Sequence, residues 1–325
     1  MSDVVLLAFD DTPPGVCAGA TPRVPVLICR DALVAGGATV EMVTASADSD
    51  VDEVLDHCFP AGTVDPPVGA VGGRGTVDGR VGAVATVGAV DGGRGAILVV
   101  AAATDSQLRA VVRRMTRRYA PVPSRRPDSV PADRTLPDLP PIGVLPIGEV
   151  DLVTPLRLPT EPAAVAAAVL GNRVRRLDLL RNDGGSVTLH GVVLGGTDDH
   201  NRTVPFAARV EVDDAVLSDG SEPLIVAAVA NADGYARLDG LTLTTRVDPA
   251  DGVLDVAVAL MVGGRSLLRR HRPRIEVRRA RGRAVAVHPR AEVAFIDDGV
   301  AGTLTHSRTW WMERGAWAVY TNPLP

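Results

Sequence analysis

Residues 97–112, ILVVAAATDSQLRAVV, run from a β-branched apolar stretch through a short turn into a helical pattern. Such a junction sets backbone N–H groups at a helix N-terminus, where a phosphate can be held. Phosphate loops of this kind carry glycines so that the backbone can approach the oxygens. This turn, Ala102-Ala103-Thr104-Asp105-Ser106-Gln107, has none. Thr104 is placed to open the helix, with Gln107 three residues on as the partner of a capping box. Asp105, as a helix-entry residue, is placed to satisfy the first N–H groups with its own carboxylate. Further acids stand at Asp251-Gly252-Val253-Leu254-Asp255 and at Asp297-Asp298-Gly299. Asp-Gly is also a plain turn pair, so Asp251 reads either as turn chemistry or as a site carboxylate.

Other chemistry is weaker. VGAVGGRG at 68–75 and VGAVDGGRG at 87–95 form a near repeat. No helical pattern follows either copy, so the stretch reads as an inserted hairpin or loop with Asp78-Gly79 as a turn, ahead of a phosphate cradle. The six histidines lack metal spacing, and Asp198-Asp199-His200 reads as polar turn first and metal site second. Ser186 and Ser218 sit in no nucleophile elbow.

Residues 265–283 hold nine arginines: Arg265, Arg269, Arg270, Arg272, Arg274, Arg278, Arg279, Arg281 and Arg283, with no matching cluster of acids nearby in the sequence. They read as a solvated hairpin face or as a patch for an anionic membrane surface. No aromatic residues are interleaved for base stacking, so nucleic acid is not expected. Trp310, Trp311 and Trp317 fall close together near Tyr320. They read as core packing of a terminal strand, or as an anchor for a partner or a bilayer.

These groups must be positioned by a regular frame. Val4–Phe9 reads as a buried strand, 23–35 as a helix stopped by Gly36-Gly37, Ala38–Thr44 as a strand, and Ser49–Cys58 as a helix. Ala96–Ala101 is a third strand. The helix after it carries Leu108, Val111, Val112 and Met115 on one stripe, and Arg113, Arg114, Arg117 and Arg118 where positive charge suits the helix dipole. Seven prolines make 121–141 a loop before the strand Ile142–Ile147. A β-α-β-α order argues for a parallel sheet with helices on both faces. After about residue 185 the pattern changes to alternating segments with Asp-Gly turns, an antiparallel β domain of sandwich or half-open barrel type.

Composition narrows the classes further. Forty-six per cent hydrophobic residues and a net charge of −5 describe a globular chain without a global field toward nucleic acid. All 34 basic side chains are arginine, which with the Ala, Val, Gly and Pro content reads as GC-rich bacterial coding. Three cysteines without zinc spacing fit a reducing cytoplasm. No signal-peptide pattern and no apolar run near 18 residues are present, so the expected location is cytoplasmic, with peripheral membrane contact through the arginines.

In order, these segments resemble the diacylglycerol kinase catalytic family, which includes bacterial lipid kinases and sphingosine kinases and is related to NAD kinases. LVVAAATDSQLRAVV is similar to the family's strand–GGDGT–helix segment, and IGVLPIGEVDLVTPLRLP to the LPxGTGNDxAxxLGLP segment. AAVAAAVLGNRVRRLDLLRNDGGSVTLHGVVLG resembles the helix and "R-x-x-D" strand that follow. LIVAAVANADGYARLDGLTLTTRVDPADGVLDVAVAL resembles the "N…G" turn and "DGxLDV" stretch, and AEVAFIDDGVAG the late "DGE" strand. The resemblance covers roughly 97–325, and more loosely 1–60.

It implies a doubly wound α/β domain over 1–150, with the 62–95 insertion, and an antiparallel β-sandwich-like domain over 151–325 whose terminal segment packs back on the first. It implies an ATP cleft between the two and transfer of the γ-phosphate to a lipid hydroxyl with Mg²⁺. The ATP positions would be Thr104, Asp105, Ser106, Gly148 and Asp151. Asp105 and Asp251 would be the metal ligands, and Asp298 and Asp251 the catalytic carboxylates.

The departures fall on this chemistry. GGDGT becomes Ala103-Thr104-Asp105-Ser106-Gln107. GTGND becomes Gly148-Glu149-Val150-Asp151, which sets a carboxylate among phosphates. The "NPxSG" loop becomes Phe9-Asp10-Asp11-Thr12-Pro13-Pro14-Gly15, where proline offers no N–H. The Glu of "DGE" becomes Val300, which cannot take a proton unless a neighbour such as Asp297 does so. The sequence therefore points to a pseudokinase-like protein that works by binding a lipid, a nucleotide in a new pose or a protein partner; Mg²⁺ and ATP, which the resemblance implies, or no cofactor at all are both compatible with it. The alternative is an active, divergent ATP- and Mg²⁺-dependent lipid kinase. A homodimer is compatible with either.

Overall fold

A computed structural model of the chain describes residues 2–10, 23–60, 95–121, 127–128, 130–197, 200, 202–235, 237–238, 241–262 and 274–322. The insertion expected at 62–95 lies almost wholly outside these residues. So do residues 11–15, Asp198-Asp199, and Arg265, Arg269, Arg270 and Arg272. The chain divides into two units. Unit 1 comprises 1–153, 157–177 and 316–325; unit 2 comprises 154–156 and 178–315.

Unit 1 alternates strand and helix: β1 (Asp3–Phe9), α1 (Val24–Ala35), β2 (Thr39–Ala45), α2 (Asp48–Cys58), β3 (Ile97–Thr104), α3 (Asp105–Tyr119), β4 (Pro141–Glu149) and α4 (Pro162–Leu170). The strands pair in parallel in the order β2-β1-β3-β4, and Ala318–Val319 adds alongside Pro141–Ile142. Strands covered on both faces need near-continuous apolar runs, which VVLLA and ILVVAAA supply. Val4, Leu6, Val99 and Ala101 pack with Cys29 and Leu33 of α1 and Val165 and Val169 of α4. The stripe Leu108, Val111, Val112 and Met115 of α3 is buried, as its spacing requires. The arginines of α3 have specific partners as well as a helix end. Arg114 pairs with Asp48 at 2.6 Å and with Asp52, and Arg118 pairs with Asp56, so acids four apart on α2 face bases four apart on α3.

Unit 2 is built from strands. In chain order they are β5 (Val174–Asn182, entering from unit 1), β6 (Val187–Thr188), β7 (Gly191–Leu194), β8 (Gly196–Thr197), β9 (Thr203–Val204), β10 (Ala208–Val212), β11 (Ala215–Asp219), β12 (Leu224–Ala230), β13 (Arg237–Leu238), β14 (Leu241–Thr242), β15 (Leu254–Val262), β16 (Arg274–Gly282), β17 (Ala284–Pro289), β18 (Val293–Asp297), β19 (Val300–Leu304) and β20 (Arg308–Tyr320, whose last five residues belong to unit 1). One antiparallel sheet runs β16-β15-β12-β7-β18-β19, and β11, β10, β17 and the first part of β20 pair antiparallel as another. Between them lies a core of Val192, Val229, Val256, Val258, Val285, Trp310 and neighbours. β12 is buried along its whole length because Leu243 and Val247 cover its outer face.

The expected fold class is met: a doubly wound α/β unit and an antiparallel sandwich-like unit. Trp310 and Trp317 are 2% and 1% exposed, so Trp310 is a core side chain and offers no surface anchor. Trp311 is half-buried, stacked by Arg181 at 5.6 Å and donating to Glu313 at 2.9 Å. Among the described residues, no helix is long and apolar enough to cross a membrane.

Candidate functional site

In unit 1, β3 and β4 run in register from Leu98–Ile142 to Ala102–Pro146, and a bulge then sets Thr104 opposite Glu149. The two turns singled out in the sequence therefore lie side by side, in backbone contact. A Cβ on Gly148 would stand 2.6 Å from the Ala103 carbonyl oxygen and 3.0 Å from its Cα, so glycine is required there by packing. The Ala103 N–H donates to Oε1 of Gln107 at 2.7 Å. The Thr104 and Ser106 hydroxyls bond each other at 2.8 Å.

This corrects the expected capping box between Thr104 and Gln107. Thr104 holds the cap position without a capping side-chain bond, and Asp105 is the first residue of α3. With the Thr104 hydroxyl turned to Ser106, Gln107 reaches one residue beyond the cap. Asp105 is buried and accepts the Leu152 N–H at 3.2 Å, which ties the head of α3 to the 3-10 turn Asp151–Val153. Thr104, Gly148, Glu149 and Asp151 are exposed.

In unit 2, Asp298 and Gly299 join β18 to β19 with φ of +47° and +78°, as a tight hairpin demands. The Asp298 side chain is fully buried. It accepts three backbone N–H groups: Leu189 at 2.6 Å, His190 at 2.9 Å and Gly191 at 3.0 Å. Asp297 is buried and accepts the Thr188 hydroxyl at 2.7 Å. Val300 pairs with Asp297 across the hairpin and is 40% exposed.

Asp251 accepts the Val253 N–H at 3.1 Å, closing its own turn, and its other oxygen pairs with Arg281. Arg281 also reaches Asp255 at 3.2 Å. Beneath this turn lies Asp178, the acid of the "R-x-x-D" strand, to which the sequence alone gives no role. It is 1% exposed and accepts the Gly252 and Gly315 N–H groups, each at 2.6 Å. Burial pushes its carboxyl up to about 6 against the pull of those two N–H groups; the Asp251 charge adds to the rise and Arg314 opposes it. The signal was present in the sequence: an acid inside the apolar strand LDLL. Asn231, also buried, donates to the Asp178 and Leu189 carbonyls at 3.0 and 2.7 Å, while its own buried Oδ1 has no partner among the described residues. His190 lies 2.9 Å from the Asp233 carbonyl and packs on Tyr235 at 4.8 Å. Among the described residues, no group of three His, Cys, Asp or Glu is arranged to hold a metal.

Among the described residues of the arginine stretch, Arg278 and Arg281 meet acids that are distant in sequence. Arg278 forks onto Glu222 at 2.6 and 2.9 Å and bonds Glu276 at 2.8 Å. Arg279 donates to the Leu243 and Thr242 carbonyls at 2.7 and 2.8 Å.

Compared by sequence, the chain matches no family model and no curated protein. Compared by structure, it is similar to a diacylglycerol kinase from Bacillus anthracis Sterne at 14% identity and a TM-score of 0.58. Two further structures from the same strain, described as candidate diacylglycerol kinases, align at 15% identity with TM-scores of 0.62 and 0.60. Each alignment covers 98% of this chain and 97% of the other. The chain thus has the two-part fold of the diacylglycerol-kinase-like proteins, as its resemblance to that family led us to expect.

Proposed function

We propose that the chain is a non-catalytic, pseudokinase-like protein on the diacylglycerol kinase fold, acting by binding a lipid or a protein partner. The capture of the Ala103 N–H by the Gln107 side chain carries this reading. A nucleotide's phosphates need exposed N–H groups and open space at this pair of turns. Here the Ala103 N–H is taken by Gln107, Ala103 packs on the side of Gly148 that a Cβ would occupy, and the exposed Glu149 stands on the same edge. These residues do not fit the phosphates of ATP. The carboxylates that could serve chemistry are already engaged: Asp105 by Leu152, Asp251 by Arg281, and Asp298 by three N–H groups. Phosphoryl transfer depends on positioning and charge stabilisation, and little of either is left for it here.

Thermal melting with and without Mg-ATP tests the reading. A ligand at 100-fold over its Kd stabilises by about 2.7 kcal/mol, so binding would be plain. We expect no shift. A shift abolished by Asp105→Ala, with labelled phosphate passing from ATP to extracted lipids, would establish the alternative of an active lipid kinase. That alternative draws on the likeness to solved kinases along nearly the whole chain, and it requires ATP and Mg²⁺. Flotation with liposomes of graded anionic content then separates a lipid from a protein partner.

A further inference from the structure

Arg281 stands on β16 directly across from Asp255 on β15. Its guanidinium bridges two carboxylates, Nη2 to Asp251 and Nε to Asp255 at 3.2 Å. One acid sits in the turn at 248–253, the other on the strand that leaves it. The surroundings are rich in negative charge. Asp178 holds the same turn through the Gly252 N–H. Burial raises Asp255; Arg281 opposes that rise, and Asp251 and Asp233 add to it. The Asp255 side chain is 13% exposed, Asp251 29% and Arg281 54%, so water screens this repulsion in part. A divalent ion at Asp251, as the family resemblance implies, would contend for the oxygen that Arg281 holds.

We propose that Arg281 is a resident cation, occupying the place between Asp251 and Asp255 that a divalent ion would take and making this turn independent of metal. A guanidinium suits the role because its donors fork across two oxygens and its charge is permanent. Strand pairing fixes it in place, so neither dilution nor a chelator removes it. The inference does not depend on whether the chain binds a nucleotide.

The test is thermal melting of the full chain in EDTA and in millimolar Mg²⁺, Ca²⁺ or Mn²⁺ at matched ionic strength. Wild type should melt at the same temperature throughout. Arg281→Met, which keeps an apolar stem and removes the charge, should melt lower in EDTA and regain at least half of the loss as one of the ions saturates. Arg281→Met with Asp251→Asn should regain nothing. Arg281→Gln serves the same comparison if the Met variant does not fold. Equal responses of wild type and variant, or a loss that no ion restores, would overturn the proposal. So would a wild-type gain that Asp251→Asn abolishes.

Discussion

A carboxylate taken out of water must be compensated, and among the buried acids of unit 2 Asp178 is one that burial shifts upward. Asp178 accepts the Gly252 and Gly315 N–H groups, but it also faces Asp251, and burial outweighs the two bonds. Asp178 is therefore an acid whose folded pKa, about 6, lies above its ordinary 3.8. Below about pH 3.8 both states are protonated and the residue is neutral to stability. Between there and about pH 6 the folded form keeps a proton that the unfolded chain has lost, so stability falls as pH rises, by on the order of 3 kcal/mol in full. Asp178→Asn does not titrate. Its unfolding free energy relative to wild type should therefore climb between about pH 4 and 6.5, as read by urea denaturation; parallel curves would exclude this role. Little of it was legible in the sequence. Asp251 and Asp298 announce themselves by their Asp-Gly turns, but which N–H groups a carboxylate meets depends on strands far away in the chain. The glycine at 148 shows the same limit. It looks like half of a phosphate loop, and only the register with β3 reveals Ala103 filling its open side.

At the scale of elements, the apolar periodicities placed β1, α1, β2, α2, β3, α3 and β4 to within a few residues, because each must bury one stripe or two faces. Pairing partners were not legible, since a strand's period of two states which side chains share a face and leaves the neighbour open. The Arg281–Asp255 pair and the Arg278–Glu222 fork come from that hidden information. The α2–α3 ladder lies in between: acids at 48, 52 and 56 and bases at 114 and 118 have matching spacing, yet helix packing alone makes them meet. Its exposed pairs are worth little each and are screened by salt. Arg114→Met should cost about 1 kcal/mol at low ionic strength and much less near 1 M NaCl. A cost unchanged by salt in paired melts would assign Arg114 a packing role instead.

At the scale of the whole molecule, β20 serves both units. Its first residues pair with β17 in unit 2, and Ala318–Val319 pair with β4 in unit 1. The change of texture near residue 185 does not mark this return; the expectation that the terminal segment packs back comes from the family resemblance alone. Removing residues 316–325 strips unit 1 of Trp317 and Val319, both essentially fully buried, and leaves β4 as a bare apolar edge. The shortened chain should be insoluble or lack a cooperative melt by circular dichroism; a soluble, cooperative product would refute this. The clasp of Asp298 on residues 189–191 spans up to 109 positions, and it has a consequence for how the protein is made. A ribosome adding roughly 5–20 residues per second needs on the order of 5–20 s to cover that distance. Throughout that interval three amides of the nascent chain wait for an acceptor that has not been synthesised, and the β4 edge waits longer still. Unit 2 thus reaches its final form only after residue 315 has left the ribosome and unit 1 only after residue 320, and until then a holding chaperone would have an open strand to grip.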